Sequence, residues 1–286
     1  MVWLPSWGCD GMIGFAQKLL MARAGVPSGI TWTDPDVSAP SYSTTSGFII
    51  SLLRDIAFDQ DGLNMYAVDG RGDAILWYTL STAWDISTLS SLQGTLVVKD
   101  IESVASTVWI HPLGTKVWYG GLGGDKINEA SLSSAYDITT AGSPTYSTAV
   151  LGNIEAMCMD PSGTYLYAGG GAIGYQLTLS TPFDLSSYSL THTTSGAFDS
   201  GRGTDIEGIW INQSGTKLYI LDSLANEVRQ YNLSTAWDLS SKSAAADVVT
   251  SITTNSTSVN GLFFNPDADK MFVSDDGGNT IDVYTI

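Results

Sequence analysis

Five short runs of the chain are apolar at every position: IAF (56–58), VWI (108–110), MCM (157–159), IWI (209–211) and LFF (262–264). A half-buried strand alternates apolar and polar side chains. Unbroken runs therefore predict strands buried on both faces. Each run ends at a residue suited to open a turn, namely Asp59, His111, Asp160, Asn212 and Asn265, and these lie 49 to 53 residues apart. A fixed period of that length marks the repetition of one supersecondary unit.

Within each unit the pattern continues. Gly62, Gly114, Gly163 and Gly215 share one position after the inner run, which predicts tight hairpins. Ala268 holds that position in the fifth unit and predicts a different turn there. A second strand follows, with an aligned aromatic at Tyr66, Trp118, Tyr167, Tyr219 and Phe272. The third strand is read in AILWYTL (74–80), KINEASL (126–132), GYQLTL (174–179), EVRQYNL (227–233) and TIDVYTI (280–286). Next comes a near-identical octapeptide: LSTAWDIS (80–87), LSSAYDIT (132–139), LSTPFDLS (179–186) and LSTAWDLS (233–240). Fourth strands are read in TLVV (95–98), YSTAVL (146–151) and DVVTSI (247–252).

Five units of four antiparallel strands predict an all-β fold, a five-bladed β-propeller over 37–286. The fifth unit reaches Ile286 without an octapeptide. Its fourth strand is predicted from PSYSTTSGFIIS (40–51), whose PSYST matches PTYST (144–148). An N-terminal strand thus closes the ring and removes an unpaired edge. The octapeptide is read as the joint between third and fourth strands. Its aspartates, Asp85, Asp137, Asp184 and Asp238, bond their own backbone. Its aromatics, Trp84, Tyr136, Phe183 and Trp237, pack between blades, a structural role rather than a ligand-binding rim.

Residues 1–36 do not repeat. Met12, Phe15, Ala16, Leu19 and Ala22 follow helical spacing, Asp10 can cap, and Gly25 and Pro27 mark a stop, which predicts a short helix over 11–24. Such a helix either packs on the propeller's own side or docks on another protein, and Trp3, Trp7, Met12, Phe15 and Leu19 are the candidate docking residues.

The formal net charge of −17 and the pI of about 4.1 argue against a nucleic-acid or anionic-membrane partner. Cys9 and Cys158 make no disulfide framework, and Cys158 falls in an inner strand as a core thiol. No run of 18 apolar residues and no signal peptide are seen, so no membrane insertion is expected. GxSxG, HExxH, P-loop and CxxC motifs are absent, so no catalytic, cofactor or metal site is predicted. His111 reads as a turn residue, His192 has no recognisable partner, and DQDG (59–62) reads as a turn. Asp275 and Asp276, in SDDGGN (274–279), leave a loop cation site open. Asp55, Glu155, Asp205 and Glu207 flank the inner strands and are the acids a propeller hydrolase would use. Asp55 and Glu155 lie at near-equivalent repeat positions.

The unit GTKLYILD…VRQYNLSTAWDLSS (215–241) resembles the repeats of virion-associated β-propeller proteins of tailed bacteriophages, many of them marine. The resemblance covers roughly residues 40–286. It implies a non-enzymatic structural or host-contacting particle protein at the virion surface, in which the N-terminal segment read above would join other virion proteins. It also implies a role in host-surface recognition at a tail fibre or tip, or in capsid decoration, with a host glycan or protein as partner. Assembly as a homo-oligomer stays open. The alternatives are a secreted lectin-like propeller, with the joint aromatics stacking on sugar, and a hydrolase built on the channel acids.

Overall fold

The apolar runs form inner strands because two neighbouring units bury them from both sides. The computed structural model describes residues 42–44, 50–149, 151–194, 198–199, 202–252 and 258–285. The predicted helix over 11–24 and the docking residues Trp3, Trp7, Met12, Phe15 and Leu19 lie outside the described residues.

Blade 1 comprises β2 (Leu53–Phe58), β3 (Asn64–Asp69), β4 (Ala74–Leu80) and β5 (Leu89–Val97). Blade 2 comprises β6 (Ala105–Ile110), β7 (Lys116–Gly121), β8 (Ile127–Ser131) and β9 (Tyr146–Ser147). Blade 3 comprises β10 (Ala156–Met159), β11 (Tyr165–Gly170), β12 (Ile173–Leu179) and β13 (Tyr188–Thr193). Blade 4 comprises β14 (Ile206–Ile211), β15 (Lys217–Asp222), β16 (Glu227–Asn232) and β17 (Val248–Ser251). Blade 5 comprises β18 (Val259–Phe264), β19 (Lys270–Asp275) and β20 (Thr280–Thr285), completed by β1 (Tyr42–Thr44). Every pairing is antiparallel, and β1 meets β20 with Tyr42 opposite Val283 and Thr44 opposite Ile281. The inner strands β2, β6, β10, β14 and β18 each pack on the next, and β18 packs on β2. The five-bladed ring is therefore closed by an N-terminal strand.

The fourth strands differ from the sequence reading. The one in blade 1 begins at Leu89, directly after a 3-10 turn (Ile86–Thr88), and is longer than TLVV. The one in blade 2 shrinks to two residues. Outer strands are only half buried, so their hydrophobic pattern says little about their ends.

Among the described residues there is no single central core. Five apolar clusters each lie between two blades. One joins Ile56, Phe58 and Tyr78 of blade 1 to Phe263, Phe272 and Ile281 of blade 5. The other four join blades 1 and 2, 2 and 3, 3 and 4, and 4 and 5 in the same manner. Each inner strand feeds two clusters, which is why its sequence does not alternate. Cys158 lies in the cluster between blades 3 and 4, where burial pushes its thiol pKa up.

The joints explain the turn glycines. Gly62, Gly114, Gly163 and Gly215 adopt φ of 68°, 65°, 72° and 69°. The ring of the joint aromatic lies directly over each one. A Cβ on Gly62 or Gly215 would fall inside the indole of Trp84 or Trp237. The aromatic's own N–H donates to the glycine carbonyl, as from Trp84 to Gly62 (3.0 Å) and from Trp237 to Gly215 (2.8 Å). The aromatics themselves take positive φ, 60°, 65°, 57° and 66° in chain order. That conformation is unfavourable for bulky side chains and costs about 1–3 kcal/mol at each position. Ring packing and the backbone bond offset it. Ala268 takes the same turn as the glycines, with φ of 54° and its N–H on Asn265 O (2.9 Å), which corrects the expectation of a different turn.

Candidate functional site

Each joint is fastened to the preceding blade. The carbonyl of the joint aromatic accepts a hydrogen bond across the interface in every case. Tyr66 Oη donates to Tyr136 O (2.8 Å), Lys116 Nζ to Phe183 O (2.7 Å), Tyr167 Oη to Trp237 O (2.7 Å) and Lys270 Nζ to Trp84 O (3.1 Å). The joint aspartates cap their 3-10 turns as expected, for example Asp238 Oδ1 accepting from Ser240 N (2.9 Å). The four rings are half buried between blades. Phe183 packs edge-on to His111, with centroids 4.5 Å apart.

The residue facing the joint from the third strand varies. It is Trp77 in blade 1, Glu129 in blade 2 and Gln176 in blade 3. Trp77 packs into the same cluster as Tyr136. Glu129 accepts from Lys116 Nζ (2.7 Å), Trp118 Nε1 (3.1 Å) and Leu185 N (2.8 Å). Gln176 accepts from Leu239 N (2.7 Å) and donates to Trp237 O (2.9 Å). An open cleft of about 420 Å³ lies between blade 3 and the joint of blade 4. Tyr165, Gln176, Thr191, His192, Trp237 and Asp238 line it. An aromatic face beside hydroxyl, imidazole and carboxylate groups can hold a polar ligand that has one apolar side. His192 had no visible partner in the sequence. Its cleft neighbours come from a joint more than 40 residues away.

The inner strands hold a second constellation. In blades 1, 2, 4 and 5 the pairing of inner and second strands shifts register near the strand start. Such a bulge re-aims side chains. The residue two before the apolar run is Arg54, Ser106, Glu155, Glu207 and Asn260 in the five blades. Glu155, Asp205 and Glu207 converge, with carboxylate oxygens within 4.8 Å of one another. Glu155 Oε2 accepts from Gly171 N (2.8 Å) and Asp205 Oδ2 from Ser223 Oγ (3.2 Å). Burial and the neighbouring Glu155 push the pKa of Glu207 up to about 9, and burial raises that of Glu155. Arg54 reaches Asn260 Oδ1 (2.8 Å) and lies 3.9 Å from Asp276.

Asp55 does not join these acids. Its side chain crosses to blade 2, where Oδ2 accepts from Thr107 Oγ1 (2.8 Å) and Val108 N (3.1 Å). Full burial raises its pKa to about 7. The near-equivalence of Asp55 and Glu155 in sequence is thus one residue out of step. His111 is a turn residue, its Nδ1 accepting from Leu113 N (2.9 Å), and burial lowers its pKa to about 4. Asp59 likewise closes its own turn, accepting from Leu63 N (2.9 Å) and Asn64 N (3.1 Å). Asp275 shapes its loop by accepting from Ser258 N (3.1 Å) and Gly278 N (3.1 Å). Among the described residues, no helix is long and apolar enough to cross a membrane.

No family model and no curated protein matches the chain. Solved structures do. The β-propeller domain of Cps50 (Swd1) from Myceliophteria thermophila is 9% identical, with 86% of this chain and 99% of that one covered and a TM-score of 0.48. Sqt1 of Chaetomium thermophilum is 19% identical, with 82% and 58% covered and a TM-score of 0.49. A chain of a mitotic checkpoint complex is 12% identical, with 81% and 63% covered and a TM-score of 0.49. The chain thus spans about 60% of the length of these last two. Such likenesses carry no argument about activity or partners.

Proposed function

We propose that the chain is a non-enzymatic bacteriophage particle protein whose propeller contacts the host surface through the cleft between blades 3 and 4. It sits at a tail fibre or tip, or decorates the capsid, and residues 1–36 join it to other virion proteins. The cleft carries the contact, because it brings Trp237, Tyr165, His192 and Asp238 together at an open blade junction. That mixture suits a glycan, whose apolar ring face meets an aromatic while its hydroxyls meet polar groups. The particle role is supported by the resemblance of the repeat unit. The acidic composition fits display in solution better than contact with a polyanion.

Two experiments test the two halves. Imaging of purified particles labelled against this chain should place it on the virion, and its absence from particles removes that role. A glycan array should give binding that Thr235→Trp blocks, since Thr235 lines the cleft and its side chain is exposed. Thr235→Trp should keep the wild-type melting midpoint. Undiminished binding by that variant removes the cleft from the contact.

A further inference from the structure

Two before the apolar run, only blades 3 and 4 carry acids, and they are neighbours in the ring. Asp205, two residues before Glu207, adds a third acid at the same place. Three carboxylates in contact repel one another and are costly to bury without a counter-charge.

Glu207 is the telling member. Only 8% of its surface is exposed, and it makes no hydrogen bond or ion pair to a described residue. Its carboxylate nevertheless points at those of Glu155 and Asp205. Buried carboxyl groups in proteins are paired, hold a proton or bind metal. Arg54 attracts Glu155 and Glu207 only at longer range, because its guanidinium makes its direct contacts with Asn260 and Asp276.

We propose that Glu155, Asp205 and Glu207 form a binding site for a divalent cation of the calcium class at the inner ends of blades 3 and 4. An all-oxygen donor set selects a hard cation. Calcium takes carboxylate oxygens at about 2.3–2.6 Å, so two ligands on opposite sides of one ion stand up to about 5 Å apart. Oxygens within 4.8 Å of one another already meet that limit. Magnesium, at about 2.0–2.1 Å, requires the three to close further. The cation ties blade 3 to blade 4 beside the axis, whereas the cleft joins the same two blades farther out. It stands or falls independently of any contact with a host.

The test uses the full chain, stripped with a chelator and then given calcium chloride alone. Calcium at a concentration well above its Kd should raise the melting midpoint by roughly 3–6 °C, since a ligand bound only by the folded state stabilises it. Calorimetric titration should give one calcium per chain. Glu207→Gln should lose the calcium response, and its stripped form should melt no lower than the stripped wild type, because a neutral amide of the same shape suits the metal-free site. Asp276→Asn should keep the response. The proposal is overturned if calcium leaves the wild-type midpoint unmoved and no heat of binding is measured. A Glu207→Gln chain that responds as the wild type does also overturns it. So does a response lost in Asp276→Asn and kept in Glu207→Gln, which would put the ion on the loop.

Discussion

The junction of blades 2 and 3 and the junction of blades 3 and 4 are built from the same parts and fastened differently. In the first, a buried carboxylate, Glu129, gathers three donors, one of them the ammonium of Lys116. In the second, the uncharged amide of Gln176 takes the equivalent place and Tyr165 the place of Lys116. The joint backbone is held in both. A cleft opens beside the amide latch. The repeat thus fixes a clasp, and the polar side chain that holds it from the third strand differs from blade to blade.

Removing each latch should break the comparison most sharply. Glu129→Ala strands Lys116, Trp118 Nε1 and Leu185 N, and should cost about 3–5 kcal/mol, as loss of one partner of a buried pair does. Gln176→Ala strands one N–H and should cost about 1–3 kcal/mol. Chemical denaturation of both variants checks the order. Equal costs would mean that the charge adds nothing to the latch.

A smaller effect separates the four clasped turns from the fifth. Gly215→Ala places a methyl against the Trp237 ring at φ of 69°, and should cost about 2–4 kcal/mol. Ala268→Gly relieves a residue held at φ of 54°, and should stabilise by up to about 1 kcal/mol. Melting of the two variants should therefore shift in opposite directions.

The junction of blades 1 and 2 has a third kind of tie, and pH sharpens the contrast. The folded pKa of Asp55 is raised to about 7 from an ordinary 3.8. A raised carboxyl contributes stability that is complete below pH 3.8 and is lost as pH climbs through 7. Between pH 5 and 8 the wild type should lose about 2–3 kcal/mol from this group. Asp55→Asn should remove that slope. Parallel stability curves for the two proteins would show that Asp55 is ionised in the fold across the whole range.

The sequence by itself determined the period, the five units, the four strands in each, the closing N-terminal strand and the place of the joint. Burial pattern and turn chemistry act within a few residues, so they are written locally and five times over. The alignment also paired each turn glycine with a joint aromatic, and the unit lacking the aromatic downstream is the one holding Ala268. Only the tertiary structure decided which polar groups meet. A register shift near the start of the inner strand sends Asp55 to blade 2, while Glu155, Asp205 and Glu207 converge from two blades. The cleft needs His192 from one blade and Trp237 from the next. The left-handed backbone of four aromatics follows from a ring seated on glycine. Such features depend on contacts between residues far apart in the chain, where hydrophobic periodicity carries no signal and packing between blades sets the geometry.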